Sequence, residues 1–544
     1  MSRFAQGECS HSRRLNGSWA VIGLFILVLY VGSAQAIGPV VKIETGLVRG
    51  VGTEVMAFKG IPFAAPPVGP LRWKPPQPAA RWEGTRDATE FCAACPQPVV
   101  FADRALSKQS EDCLTLNIWS AARSPKDRLP VMVWIHGGGF AVGSGAQSMY
   151  DGERLARQGA VVVTINYRLG VLGFLAHPEL SRESPQGVSG NYGLLDQIAA
   201  LKWVQRNIAS FGGDPRRVTI FGESAGGSSV LTLLVSPQAK GLFHRAISES
   251  GTFVFTPIRH LRKSWYGYVP AEAAGAALGE IETLRRLSVP DVLKLKGPNP
   301  HALYETGRGA FRPVVDGWVL PDDPSDLYER GKFNRVPLLA GVNADEGALF
   351  LGFLIAPAKT PEAYRDWLTA CFGQEAAGSL VDQYPASEAA EIAGAMRHVV
   401  TDSFFGEPTL ATLRAVQSKS PAYLYRFARL NAGGKATKMG AYHTVEIAYV
   451  FGNFESPALP FRDAKVVDET DRAISRAMMG TWIQFAKTGD PNGPGLPEWP
   501  RYSAKTELCL EFNDSVMARK FPGTAKIDLL YSVFRQQREQ RRPD

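Results

Sequence analysis

Histidine is scarce in this chain: eight residues among 544, beside 60 basic and 52 acidic side chains. None lies in an H-E-x-x-H array, and no His or Cys pair is clustered beyond Cys92 and Cys95. No metal-ligand set is therefore legible, and neither a metal nor another cofactor is expected. Long apolar runs are missing too. The stretch from Trp19 to Val31 is about 13 residues, short of the roughly 20 that cross a bilayer. No Pro/Gly/Ser-rich linker, charge block or repeat divides the chain, so residues 37–544 read as one domain. The net charge of +8 is not gathered into Lys/Arg runs, apart from a tail around Arg538–Arg542. That spread excludes a nucleic-acid footprint. With 45% hydrophobic and 21% charged residues, the composition is that of a globular protein with ample core.

The short apolar run has a different use. Arg13 and Arg14 precede it, and Ala34-Gln35-Ala36 follows it as a small-x-small cleavage pattern. Residues 1–36 are expected to be a signal peptide cut after Ala36. The mature chain would begin at Ile37 and be exported to the periplasm or beyond, with no stable membrane anchor; a retained anchor is the alternative. Six cysteines become five when Cys9 leaves. Export favours a disulfide, with Cys95–Cys113 the first choice, and the odd count leaves a thiol over.

Residues 40–63 alternate apolar and polar side chains between glycines, which predicts a small antiparallel meander. The Pro-rich stretch 62–78 must be irregular. Apolar β-rich runs follow at 130–135, 160–166, 218–221, 245–248, 336–340 and 422–427. Helical patterns stand among them, at 194–210 and 471–487. Strands alternating with helices imply a large, mainly parallel central sheet flanked by helices. Sites on such sheets sit at the carboxyl ends of strands.

One such end carries Gly222-Glu223-Ser224-Ala225-Gly226, between the run 218–221 and a helical run at 227–234. G-x-S-x-G in that context is a nucleophile elbow, which puts a serine on a sharp strand-to-helix turn. A serine hydroxyl needs a base, and the base an orienting acid. Of the histidines, His136 abuts Gly137-Gly138-Gly139 and His244 sits beside Phe243 before a strand, both structural settings. His443, after the last clear strand, is the candidate base. The acid is expected between serine and histidine in chain order. Asp345 and Glu346 follow the run 336–340, and spacing does not choose between them. His136-Gly137-Gly138-Gly139 matches a loop that donates backbone N–H groups to an oxyanion. The donors would be Gly138, Gly139 and Ala225. A phosphate-cradling role for that loop lacks the required G-x-G-x-x-G or G-K-S/T spacing.

With these residues in view, the chain resembles the type-B carboxylesterase/lipase family, which includes para-nitrobenzyl esterases and cholinesterases. The resemblance runs through Phe58-Lys59-Gly60-Ile61-Pro62, Glu111-Asp112-Cys113-Leu114, Asn191-Tyr192-Gly193-Leu194-Leu195-Asp196 and Thr488-Gly489-Asp490-Pro491. It implies an α/β-hydrolase fold and a carboxylic ester hydrolase working through an acyl-enzyme. It also implies Ser224 as nucleophile, Glu346 rather than Asp345 as acid, His443 as base, a Cys95–Cys113 loop, and a buried Glu223 that tunes the site. Ser120-Ala121 and Thr444 depart from the family's usual residues without touching a catalytic group. Residues 96–110 contain no Trp, where cholinesterases carry one, so a choline ester is not expected.

The expected partner is a small-molecule ester. A non-catalytic adhesion module of the same family, an interfacial lipase and a narrow esterase for polycarboxylate toxins are the alternatives. The last is motivated by the net charge and by Arg308 and Arg312. Oligomeric state is not legible.

Overall fold

A computed structural model describes residues 37–540, except 99–102, 252–257, 266–267, 298–310, 353, 432–434, 436–437 and 457–466. The expected leader, residues 1–36, and Arg308 lie outside the described residues.

Among the described residues, thirteen strands form one mixed sheet. They are β1 Ile37–Ile43, β2 Gly46–Val51, β3 Met56–Pro62, β4 Thr85–Asp87, β5 Thr115–Ser120, β6 Leu129–Ile135 and β7 Val161–Ile165. β8 Gly213–Glu223, β9 Arg245–Glu249, β10 Leu338–Asn343, β11 Ala422–Phe427, β12 Leu508–Phe512 and β13 Val516–Lys520 follow. Their order is β1-β2-β3-β5-β7-β6-β8-β9-β10-β11-β12-β13, with β4 beside β2. The centre, β7 through β12, is parallel, as expected from the alternating pattern. The predicted meander is β1–β3, and it continues into the main sheet through the antiparallel pairs β3–β5 and β5–β7.

The β-branched runs become central strands because both faces are covered. Side chains alternate across a strand, so β6 feeds two cores. Val131, Val133 and Ile135 join one apolar cluster, and Met132 and Trp134 join the other. The first face is covered by α1 (Tyr192–Asn207), through Ile198, Leu201 and Val204, and by α2 (Ala225–Val235). The second is covered by α3 (Glu469–Thr488), through Ile474, Met478, Trp482 and Phe485. β10 begins at Leu338, two residues later than the apolar run indicates, because Pro337 has no N–H for the ladder. β4, β5, β12 and β13 extend the sheet beyond the strands marked in the sequence. Two of them follow His443, so β11 is not the last strand.

Cys95 and Cys113 form a disulfide across 18 residues of chain. Cys92 is half-buried, and Cys371 and Cys509 are buried thiols pushed up to about 12 by desolvation. Closing a loop of that size restricts the unfolded chain. The double variant Cys95→Ser/Cys113→Ser is therefore expected to lose about 3 kcal/mol of stability, seen as a lower midpoint in calorimetry. An unchanged midpoint would contradict that role.

Candidate active site

β8 ends at Glu223 and α2 begins at Ala225, leaving Ser224 alone in the turn with φ 56° and ψ −119°. A non-glycine residue holds that backbone only under outside constraint. Here the Ser224 N–H donates to the Glu249 carbonyl at the end of β9 (2.9 Å), and the Ser224 carbonyl accepts from the Ser228 N–H (2.8 Å). The flanking glycines are dictated by close approach. A Cβ on Gly226 would lie 1.9 Å from the Ile135 carbonyl oxygen, and one on Gly222 2.5 Å from the same atom. The ends of β6 and β9 thus press on the turn from both sides and fix where the serine points.

His443 lies in the loop after β11, buried, with Thr444 next to it at φ 79°. Its Nδ1–H donates to Glu346 Oε2 at 2.6 Å. Glu346 Oε1 accepts from the Asn343 N–H (2.7 Å) and the Ser250 hydroxyl (2.5 Å). Three donors on two oxygens suit a carboxylate, and they lock the imidazole's tautomer so that Nε2 carries the free lone pair. Asp345, the neighbour that spacing could not set aside, turns away. It accepts from the Ala441 N–H at 3.0 Å and clips the loop that carries His443. Phe405 and Phe350 lean on the imidazole, with ring centroids at 4.8 and 5.2 Å. Phe405 sits in a wide turn closed by the Glu407 N–H bonding the Asp402 carbonyl. Pro408 follows, and its missing N–H and ring disfavour a regular helix there.

The glycine loop packs against the serine. A Cβ on Gly137 would meet Glu223 Oε2 at 2.7 Å and Ser224 Cβ at 3.2 Å. Gly138 and Gly139 have φ of 103° and 64°, and a Cβ on Gly138 would lie 2.1 Å from the Val142 carbonyl oxygen. Among the described residues, no group accepts a hydrogen bond from the N–H of Gly138, Gly139 or Ala225. His136 supports this loop: it stacks on Tyr167 at 4.4 Å, and the Tyr167 hydroxyl donates to the His136 carbonyl. Burial pushes the His136 imidazole down to about 4, so it is neutral.

Three further carboxyls are buried around this constellation. Glu223 Oε1 lies 3.1 Å from His443 Nε2, out of line for a hydrogen bond. Burial, with the charges of Glu346 and Glu249, pushes Glu223 well above the ordinary carboxyl range. Glu446 is raised by burial and by the charges of Glu223, Glu346 and Glu249; it accepts from Asn343 Nδ2. Glu249, paired in register with Glu223, accepts from Trp482 Nε1 at 2.8 Å. Ser250, Asn343, Phe405, Glu249 and Glu446 were not marked by the sequence, because each acquires meaning only from what the fold sets beside it. Among the described residues, no group of His, Cys, Asp and Glu could hold a metal, and no helix is long and apolar enough to cross a membrane.

Comparison with known proteins gives a consistent result. The sequence model of the carboxylesterase family matches residues 37–530. A fumonisin B1 esterase of Sphingopyxis macrogoltabida is 42% identical over 472 residues, spanning 86% of this chain and 85% of its own. A para-nitrobenzyl esterase of Bacillus subtilis (strain 168) is 38% identical over 507 residues, spanning 90% and 98%. A solved PNB esterase structure superposes with a TM-score of 0.77 at 34% identity, over 90% of this chain and 99% of its own. These neighbours share the α/β-hydrolase sheet.

Glu249 gives a pH prediction. Burial pushes its carboxyl up to about 8 from an ordinary 4.5, with the Trp482 N–H pulling the other way. The folded chain therefore holds a proton that the unfolded chain releases. This contribution is intact below about 4.5 and is lost as pH rises through about 8. Glu249→Gln keeps the acceptor for Trp482 and removes the titration. Its unfolding midpoint is expected to fall by a few degrees less than wild type between those two pH values. Parallel curves would contradict the assignment.

Proposed function

We propose, from the premise that this chain belongs to the carboxylesterase family and is a serine hydrolase of carboxylic esters, that Ser224, His443 and Glu346 carry the reaction. The observation that carries this reading is the 2.6 Å contact between His443 Nδ1 and Glu346, with His443 Nε2 3.1 Å from Glu223, the residue before Ser224.

In this reading His443 Nε2 takes the Ser224 proton as the hydroxyl oxygen attacks the ester carbonyl. Glu346 holds the ring and balances the imidazolium that forms. The tetrahedral oxyanion lies against the N–H groups of Gly138, Gly139 and Ala225, whose donors are preset and need no reorganisation. His443 then gives its proton to the leaving alkoxide, which departs as alcohol. Water enters, loses a proton to the same Nε2, and releases the acid from the serine. Glu223, beside Nε2, tunes the field felt by the imidazolium. The dipole of α2, whose N-terminus is Ala225, adds to oxyanion stabilisation.

The ester is a small molecule of ordinary carboxylester type, as the para-nitrobenzyl esterase relative supports. A narrower reading, in which the physiological ester is a toxin such as a fumonisin, is supported by the relative at 42% identity. Export after cleavage at Ala36 is supported by the leader pattern and by the Cys95–Cys113 disulfide, a bond characteristic of oxidising compartments. The adhesion-module alternative has no support, since its members lack the serine that stands here at position 224.

The test is hydrolysis of p-nitrophenyl esters from acetate to palmitate, with fumonisin B1 alongside. Wild type is expected to cleave the short chains, and Ser224→Ala to lose roughly 10⁴- to 10⁶-fold in kcat. Activity appearing only above the micellar limit would replace this reading with a lipase. Full activity in Ser224→Ala would remove the serine from the mechanism.

A further inference from the structure

The opposite ends of the same strands hold an electrostatic imbalance that the esterase reaction does not use. Asp214, near the start of β8, is almost buried and is ringed by arginines. Arg128 Nη2 lies 3.3 Å from Oδ1, Arg216 Nε 3.7 Å from Oδ1 and Arg217 Nε 3.4 Å from Oδ2. The Arg216 N–H also donates to Oδ1 at 3.0 Å. Arg217 donates in addition to the Arg128 carbonyl. These guanidiniums are not consumed by the contact: the Arg216 side chain is 73% exposed and the Arg128 side chain 50%.

Arg245 opens β9, the next strand in the sheet. Its Nη2 donates to the Lys487 carbonyl at 3.2 Å, while Nε and Nη1 are buried with no hydrogen-bond acceptor. The guanidinium rests on the Gly489 turn, with Nε 3.4 Å from where a Cβ would stand. Burial, and then the charge of Arg217, hold it below the usual arginine range. His244 precedes it, and its Nδ1 accepts from the Val218 N–H at 3.3 Å, which leaves the ring proton on Nε2. Three guanidiniums therefore share one carboxylate, and Arg245 on the next strand keeps two buried donors unanswered. Buried donors of that kind are rarely left without an acceptor.

We propose that this amino-terminal edge of the sheet is a binding site for a phosphate group, held by Arg217 and Arg245 with His244, Arg128 and Arg216 around it. A guanidinium presents a planar fork of N–H donors that matches phosphate oxygens in pairs. A doubly charged tetrahedral anion offsets more of the surplus charge of Arg128, Arg216 and Arg217 than a monoanion does. From Arg217 to Glu223 the chain runs along β8 for seven residues, or about 20 Å, so an occupant here leaves Ser224 open to its ester. The phosphate can come free in solution or on a lipid headgroup, and the two sources are separable.

The experiment titrates the full chain with inorganic phosphate against chloride at constant ionic strength, following the unfolding midpoint and heat of binding. In parallel it measures sedimentation with phosphatidic acid vesicles against phosphatidylcholine vesicles. Saturable binding in the first arm identifies free phosphate. Binding in the second arm alone identifies the headgroup. In either arm Arg217→Gln and Arg245→Gln are each expected to weaken binding at least tenfold. The exposed Arg216→Gln should weaken it about threefold, and kcat on p-nitrophenyl acetate should stay at the wild-type value throughout. Absence of saturable binding in both arms, or equal binding by wild type and Arg217→Gln, would overturn the proposal.

Discussion

The hydrogen bond from the Ser224 N–H to the Glu249 carbonyl is the constraint on which the site depends. It holds the backbone of a serine in a region that costs such a residue about 1–3 kcal/mol, and it does so from the end of a neighbouring strand. The strain persists because the sheet is parallel at this point. β6, β8 and β9 end side by side, so their terminal carbonyls crowd one turn. The glycines at 222 and 226 are the consequence, because no side chain fits against the Ile135 carbonyl. The motif is therefore a record of three strands meeting, and the catalytic use proposed for it follows from that meeting.

A second consequence is electrostatic. Strand ends that converge on the serine also deliver Glu223 and Glu249, while the loops after β10 and β11 deliver Glu346 and Glu446. Four carboxyls in one buried region cannot all ionise. The hydrogen bonds sort them. Glu346 receives three donors, whereas Glu223, Glu249 and Glu446 each keep an oxygen without a partner, and burial drives these three toward their neutral forms. The imidazole is thereby oriented by Glu346, with three further buried carboxyls around it. The other edge of the sheet shows the converse imbalance, with arginines outnumbering their single partner.

The central strands and the elbow were legible because β-branched runs buried on both faces leave a plain record, as in residues 161–165. The turn glycines are equally plain. The choice between Asp345 and Glu346 was not, since adjacent residues share a strand end and only the direction of the following turn separates them; the family resemblance made that choice where spacing could not. Ser250 and Phe405 carried no signal, being contacts made across 96 residues of chain to Glu346 and from a proline-widened turn to His443. β13 was hidden because its side chains are mostly exposed and show no period. The arginine edge was invisible for the same kind of reason: its members come from separate loops and form no run.

The central claim is that the strained turn delivers Ser224, and no other residue, to the ester. It is tested most directly by quenching wild type within its first turnover of a p-nitrophenyl ester and mapping the acyl group by peptide mass spectrometry. The account predicts a single acylated site, Ser224, and no acylation in His443→Ala on the same timescale. An acyl group on another residue, or rapid turnover with Ser224 never modified, would contradict it.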